Sequence, residues 1–263
     1  MGAKSNRLRR FLSDHPKCCF CGGHTIATTE DHWPSRAIFD ERKWPNGYVF
    51  PACQQCNSAT AADETLFALI CRLAPIKTSD TSQLQTRKLL QALQETAPEL
   101  YRSLAPRATQ VKAFLRKGNA TLPPGMTTRE VPVLSLAHPE IHTRIKRCAV
   151  KLFLGLHYLH TRHILPSAGG IFIKWYTNAS SLEEVPVQDL LPNLHGVPLV
   201  KWQRQFLNEQ FEYRYLAESE SGRASAFFVK FHASLCFIAF AFSETAGIEG
   251  PPQSTYLRPF SWP

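Results

Sequence analysis

The chain of 263 residues has no run near the ~20 consecutive apolar residues that a membrane-spanning helix requires. Its longest apolar run, Leu235 to Phe242, has the length of a buried strand. No apolar secretory segment opens the chain, so a reducing cytoplasm is the expected setting. The opening MGAKSN fails the myristoylation pattern, because its sixth residue is Asn6 and not Ser or Thr. There is no internal repeat and no long low-complexity segment, which sets aside a repeat array. Acidic residues are scarce: 21 stand against 30 Lys and Arg, for a formal charge of +9. The deficit is local. Residues 102–151 hold ten Lys or Arg and only two acids, Glu130 and Glu140. The N-terminal tail adds Lys4, Arg7, Arg9 and Arg10. A charge run is usually a solvated face, but this asymmetry also suits the backbone of a nucleic acid. Arg7, Arg9, Arg10, Arg144, Lys146, Arg147 and Lys151 are the candidate phosphate contacts.

Cysteine, by contrast, is patterned. Cys18 and Cys21 form one C-x-x-C pair, followed by Gly22 and Gly23. Cys53 and Cys56 form a second, with Asn57 directly after. Each pair can fold as a tight turn that aims two sulfurs at one point, and four soft thiolates suit a tetrahedral zinc. The glycines allow the positive φ that such a turn needs. Disulfides and four unrelated buried thiols are the alternatives. Cys19 could pair with Cys21, but the two-residue spacer is the usual knuckle and favours Cys18. Cys71, Cys148 and Cys236 lie in apolar surroundings and are expected in the core. A zinc here would supply much of the folding energy of a lobe with little core.

Between the knuckles stand Asp31 and His32, within DHWPSRAIF. An acid beside a histidine suits a hard catalytic metal and a base. In this pattern residues 15–66, about a quarter of the chain, resemble the HNH or ββα-metal nucleases, in the branch with flanking cysteine pairs. The resemblance implies a hairpin whose first strand ends at Asp31-His32, a loop carrying Asn46, and a helix carrying Asn57. It implies His32 as general base, Asp31 and Asn57 as ligands of one Mg²⁺ (or Mn²⁺), and Asn46 as a brace orienting His32. Phosphodiester hydrolysis needs those parts. Water must lose a proton near neutral pH, and a divalent cation must offset charge on the phosphate. The chain departs from the pattern where Asn57 replaces a final His. It departs again at Ser58-Ala59-Thr60-Ala61, where a Lys or Arg is common. His24 is expected as a turn residue, and Asp63 and Glu64 as a solvated pair on a helix.

The expected fold is α+β: an N-terminal ββα-metal zinc module, then helices, then a mixed domain of helix and antiparallel sheet. The expected division is a basic arm or short helix at 1–14, the zinc-knuckle nuclease module at 15–75, a helical connector at 76–125 and an α+β domain at 126–263. Helices are predicted over 62–74, over 80–117 with interruptions near Pro98 and Pro106, and from Pro139 to about Leu159. The loop TLPPGMTT separates the halves. Strands are predicted over 169–177, around 211–215, and near 224–231 and 234–242. His157, His160 and His163 recur every third residue, which reads as the edge of a core more readily than as a metal site.

These readings converge on a metal-dependent endonuclease with structural Zn²⁺ and catalytic Mg²⁺. The resemblance implies double-stranded DNA as substrate, with RNA left open, and by analogy a place in a phage, a mobile element or bacterial defence. The larger domain would bind DNA, sense a small-molecule effector or hold a regulatory protein; a homo-oligomer is also open. A non-catalytic zinc-ribbon protein that binds nucleic acid is the alternative. A protein-interaction adaptor held by structural zinc is a third.

Overall fold

The computed structural model describes residues 3–73, 80–118, 121–122, 124–128, 133–180, 190–248, 252 and 255–261. Among them seven α-helices and eight strands make an α+β architecture. None of these helices is long and apolar enough to cross a membrane.

The N-terminal part is a hairpin followed by short helices. Helix α1 (Ala3–Asp14) leads into β1 (Thr29–His32), which pairs antiparallel with β2 (Val49–Ala52). Asp31 lies opposite Phe50, and His32 opposite Val49. Helix α2 (Gln54–Ser58) starts from the second knuckle, because Cys53 is its N-cap and the Cys53 sulfur accepts the Cys56 N–H at 3.5 Å. Helix α3 (Glu64–Cys71) has no polar face from Leu66 onward, so it is buried on all sides. It ends four residues before Pro75, which lies outside the described residues.

The connector is helical and broken where proline requires it. Helix α4 (Asp80–Thr96) stops before Pro98, which begins α5 (Pro98–Ser103). Pro106 stands between α5 and α6 (Ala108–Lys117). Then α7 (Pro139–Thr161) runs 23 residues and ends on Arg162 in the left-handed region, φ 62°.

The sheet follows: β3 (Gly170–Thr177), β6 (Phe211–Ala217), β7 (Ala224–Phe231) and β8 (Leu235–Phe242), all antiparallel in the order β3-β8-β7-β6. Strands β8 and β7 are the two inner strands of this sheet. Between β3 and β6 a small hairpin, β4 (Lys201–Trp202) and β5 (Gln205–Phe206), was not anticipated; two residues a side are too few to show a period.

The core is shared along the chain. Trp33 of the hairpin region stacks 6.0 Å from Phe67 on α3, and Phe67 meets Phe231 and Phe237 of the sheet at 5.7 and 6.1 Å. Phe153 on α7 sits between Phe227 and Phe237. One buried cluster therefore runs from the cysteine knuckles through α3 and α7 to the sheet.

Candidate metal centre and the polar cluster beside it

The two knuckles meet. The sulfurs of Cys18, Cys21, Cys53 and Cys56 all lie within 4.8 Å of one another, and all four residues are buried. A tetrahedral shell at about 2.3 Å places sulfurs roughly 3.8 Å apart, so the cluster fits a metal ion of the kind structural zinc sites hold. No cysteine is in a disulfide. The first knuckle turns through Gly22 and Gly23, at φ +67° and +76°, as its sequence requires. A Cβ on Gly22 would also stand 2.9 Å from the Ser167 backbone nitrogen. A hydrogen bond with the Cys56 thiol pulls the Cys18 thiol down to about 5, helped by the backbone N–H groups of Cys53, Phe20 and Cys21. Cys19 is buried but is not one of the four clustered sulfurs, and burial pushes its thiol up. Cys71 and Cys148 are core residues, whereas Cys236 is only half-buried.

Beside this centre lies a polar cluster that local sequence does not reveal. Asp31 on β1 is 6 % exposed and Lys151 on α7 is fully buried. Lys151 Nζ stands 2.7 Å from Asp31 Oδ2 and donates to the Asn57 backbone oxygen and to Thr60 Oγ1, each at 3.1 Å. It also faces the rings of Trp33 and Phe20 at 5.0 and 5.5 Å. The buried Asp31 Oδ2 thus has the Lys151 ammonium as its charge partner. Burial pushes the Asp31 carboxyl up, and Lys151 is the strongest influence holding it down. Thr60 Oγ1 passes the network to Glu64 Oε1 at 3.3 Å, and burial lifts that carboxyl as well.

The structure thus brings the Asp31 carboxylate and the Asn57 main-chain oxygen against one ammonium. Asn57 Nδ2 also reaches Thr29 Oγ1, at 3.5 Å. The Asp31 carboxylate, the Asn57 main-chain oxygen and Thr60 Oγ1 are oxygen donors of the class that hard cations take, and the Lys151 ammonium stands among them. His32, the next residue on β1, is half-buried, with its ring 4.7 Å from Trp44. Burial lowers its pKa, against the raising field of Glu30, so it is neutral at pH 7, the form a base needs. Asn46 does not brace it. Asn46 is exposed, its backbone N–H donates to the Lys201 oxygen, and among the described residues its side chain makes no hydrogen bond to His32. The ring of Trp44 holds that place, itself anchored by its Nε1–H to the Pro34 oxygen at 2.7 Å.

Several expected surface charges are occupied internally. Lys151 is corrected outright: a fully buried ammonium cannot touch a phosphate. Asp63 and Glu64 are not a solvated pair either. Asp63 is buried and takes Arg147 Nε at 2.8 Å, with Arg144 Nε at 3.7 Å. Arg144 also binds Glu140 and the Ala62 oxygen, while Arg147 stays half-exposed. Arg7 pairs with Glu30. Arg9, Arg10 and Lys146 are exposed. His157 and His160 face the sheet, on Ser225 Oγ and Tyr213 Oη at 2.8 Å each, as core-edge histidines do.

Comparison of the chain with protein-family models, with curated proteins and with solved structures found no match. Away from the polar cluster, a cavity of about 650 Å³ opens between α3, α4, α6 and β3, with Leu73, Phe114, Leu134 and Leu136 on its apolar walls and Arg87 among its polar residues.

Proposed function

We propose that this chain is a metal-dependent nuclease of the ββα kind, hydrolysing phosphodiester bonds in nucleic acid, with DNA the first substrate to test. The observation that carries this reading is the meeting of the Asp31 carboxylate and the Asn57 main-chain oxygen at one ammonium, with a neutral His32 next to Asp31 in sequence. His32 is the base that takes a proton from the attacking water. Asp31 and Asn57 are the oxygen ligands of Mg²⁺ or Mn²⁺, which when bound would offset charge on the phosphate and on the departing 3′ oxygen. Structural zinc on Cys18, Cys21, Cys53 and Cys56 keeps hairpin and helix in register. The exposed Arg9, Arg10 and Lys146 are candidate cations to meet a backbone. An effector of the larger domain would have room in the 650 Å³ cavity.

One observation favours a second reading. Lys151 already pairs with Asp31, which leaves that carboxylate a structural role and suits a zinc-ribbon module that binds nucleic acid without cutting it. Supercoiled-plasmid cleavage with and without Mg²⁺ or Mn²⁺ separates the two. Under the nuclease reading the plasmid is nicked or linearised only with metal, and His32→Ala lowers the rate by about a hundred-fold or more while leaving the melting temperature unchanged. No cleavage by folded, zinc-loaded wild type, together with salt-sensitive DNA binding, establishes the second.

A further inference from the structure

Lysine is almost never fully buried unless it is paired. Lys151 is fully buried, and everything around its ammonium is what a cation attracts. Three oxygens converge on it: Asp31 Oδ2 from β1, the Asn57 backbone oxygen from α2, and Thr60 Oγ1 from the turn after α2. The faces of Phe20 and Trp33 complete the shell. Glu64 adds a second carboxylate through Thr60. One ammonium among two carboxylates leaves the cluster with one negative charge when both are ionised. A divalent cation reaching Asp31 would then meet a positive charge already in contact with the same oxygen.

We propose that Lys151 is the resident counter-ion of Asp31 and competes with a divalent cation for it, so that α7 sets the metal affinity of the zinc-knuckle module. The inference rests on the reading of Asp31 and Asn57 as metal ligands and adds a positioning residue to it. Lys151 arises from a helix outside the ββα unit, 94 residues from Asn57. Its stem is locked in the core, so the ammonium cannot swing clear as a surface lysine would. The competition is therefore built into the fold, and metal binding is weak as long as α7 keeps its place.

The test is Mn²⁺ binding to the full-length, zinc-loaded chain, read by the loss of the free-ion electron paramagnetic resonance signal. Lys151→Gln and Lys151→Met remove the charge while keeping much of the stem volume. Both are expected to bind Mn²⁺ about ten-fold tighter than wild type or better, the scale on which a neighbouring like charge acts. The gain disappears when Asp31→Asn is added. If a variant melts early because Asp31 is left without a partner, Mn²⁺ should restore its melting temperature and leave that of wild type where it was. Unchanged or weaker Mn²⁺ binding in both variants overturns the proposal, as does a gain that survives Asp31→Asn. No nucleic acid enters the measurement, so inactivity in the plasmid assay would count against the nuclease reading and leave this outcome legible.

Discussion

A histidine sealed beneath a sheet can take up a proton only by placing an unpaired N–H among apolar groups. His157 is such a residue. Its Nδ1 meets Ser225 Oγ at 2.8 Å, and among the described residues its buried Nε2 has no hydrogen-bond partner. Burial lowers its pKa to about 4, with His163 adding to the effect. The folded value lies below the unfolded one, so the stabilisation is complete above pH ~6.5 and is lost as pH falls from there towards 4. The shift corresponds to about 3 kcal/mol. Urea unfolding of wild type and His157→Gln at pH 7 and pH 4.5 reads it directly, since glutamine does not titrate. Acid should cost wild type about 2 to 3 kcal/mol more than the variant. Equal losses in the two proteins would mean that His157 is protonated without penalty. At Lys151 the fold instead supplies oxygens around a buried side chain.

At the scale of elements, α7 is held against the hairpin by a residue with no side chain. A Cβ on Gly155 would lie 3.1 Å from the Phe50 ring, which is itself 1 % exposed and has nowhere to go. Gly155→Val should therefore destabilise the protein by about 2 kcal/mol, overpacking outweighing the gain from replacing a helical glycine. Thermal melting checks this, and a variant as stable as wild type would show that the contact yields. Much at this scale was legible beforehand. The helices broke at Pro98 and Pro106, the run from Leu235 to Phe242 became an inner strand, and the knuckles closed, because each depends on neighbours in sequence. Asn46 was misjudged for a related reason. The hairpin strand begins at Val49, which leaves Asn46 in an exposed turn rather than beside His32. The contacts Lys151–Asn57 and Arg147–Asp63, 94 and 84 residues apart, have no local signature. A lysine in an amphipathic helix reads as surface until the element packed over it is known.

For the whole molecule, the consequence is that the candidate site is not confined to the stretch of chain carrying its motifs. The cysteines, Asp31, His32 and Asn57 lie within residues 18–57, yet Lys151 comes from α7 and the far wall of Phe67 is made by Phe231 and Phe237. A fragment of residues 1–75 keeps every sulfur of the metal centre and loses those partners. Leu66, Phe67, Leu69 and Ile70, all buried in the full chain, would face water. At roughly 1.5–3 kcal/mol for each large apolar side chain, exposing four of them exceeds what a small lobe can recover from its own packing. The fragment should still take up one metal ion per chain, since the four thiols are local to it. It should nevertheless melt without a cooperative transition and bind a dye for exposed apolar surface, while full-length protein melts in one step. Zinc content by elemental analysis, calorimetry and dye fluorescence on the two proteins decide the matter. A fragment that binds zinc and melts as sharply as the full chain would show that the metal alone organises the module, and that the packing of α7 and the sheet onto it is dispensable for its fold.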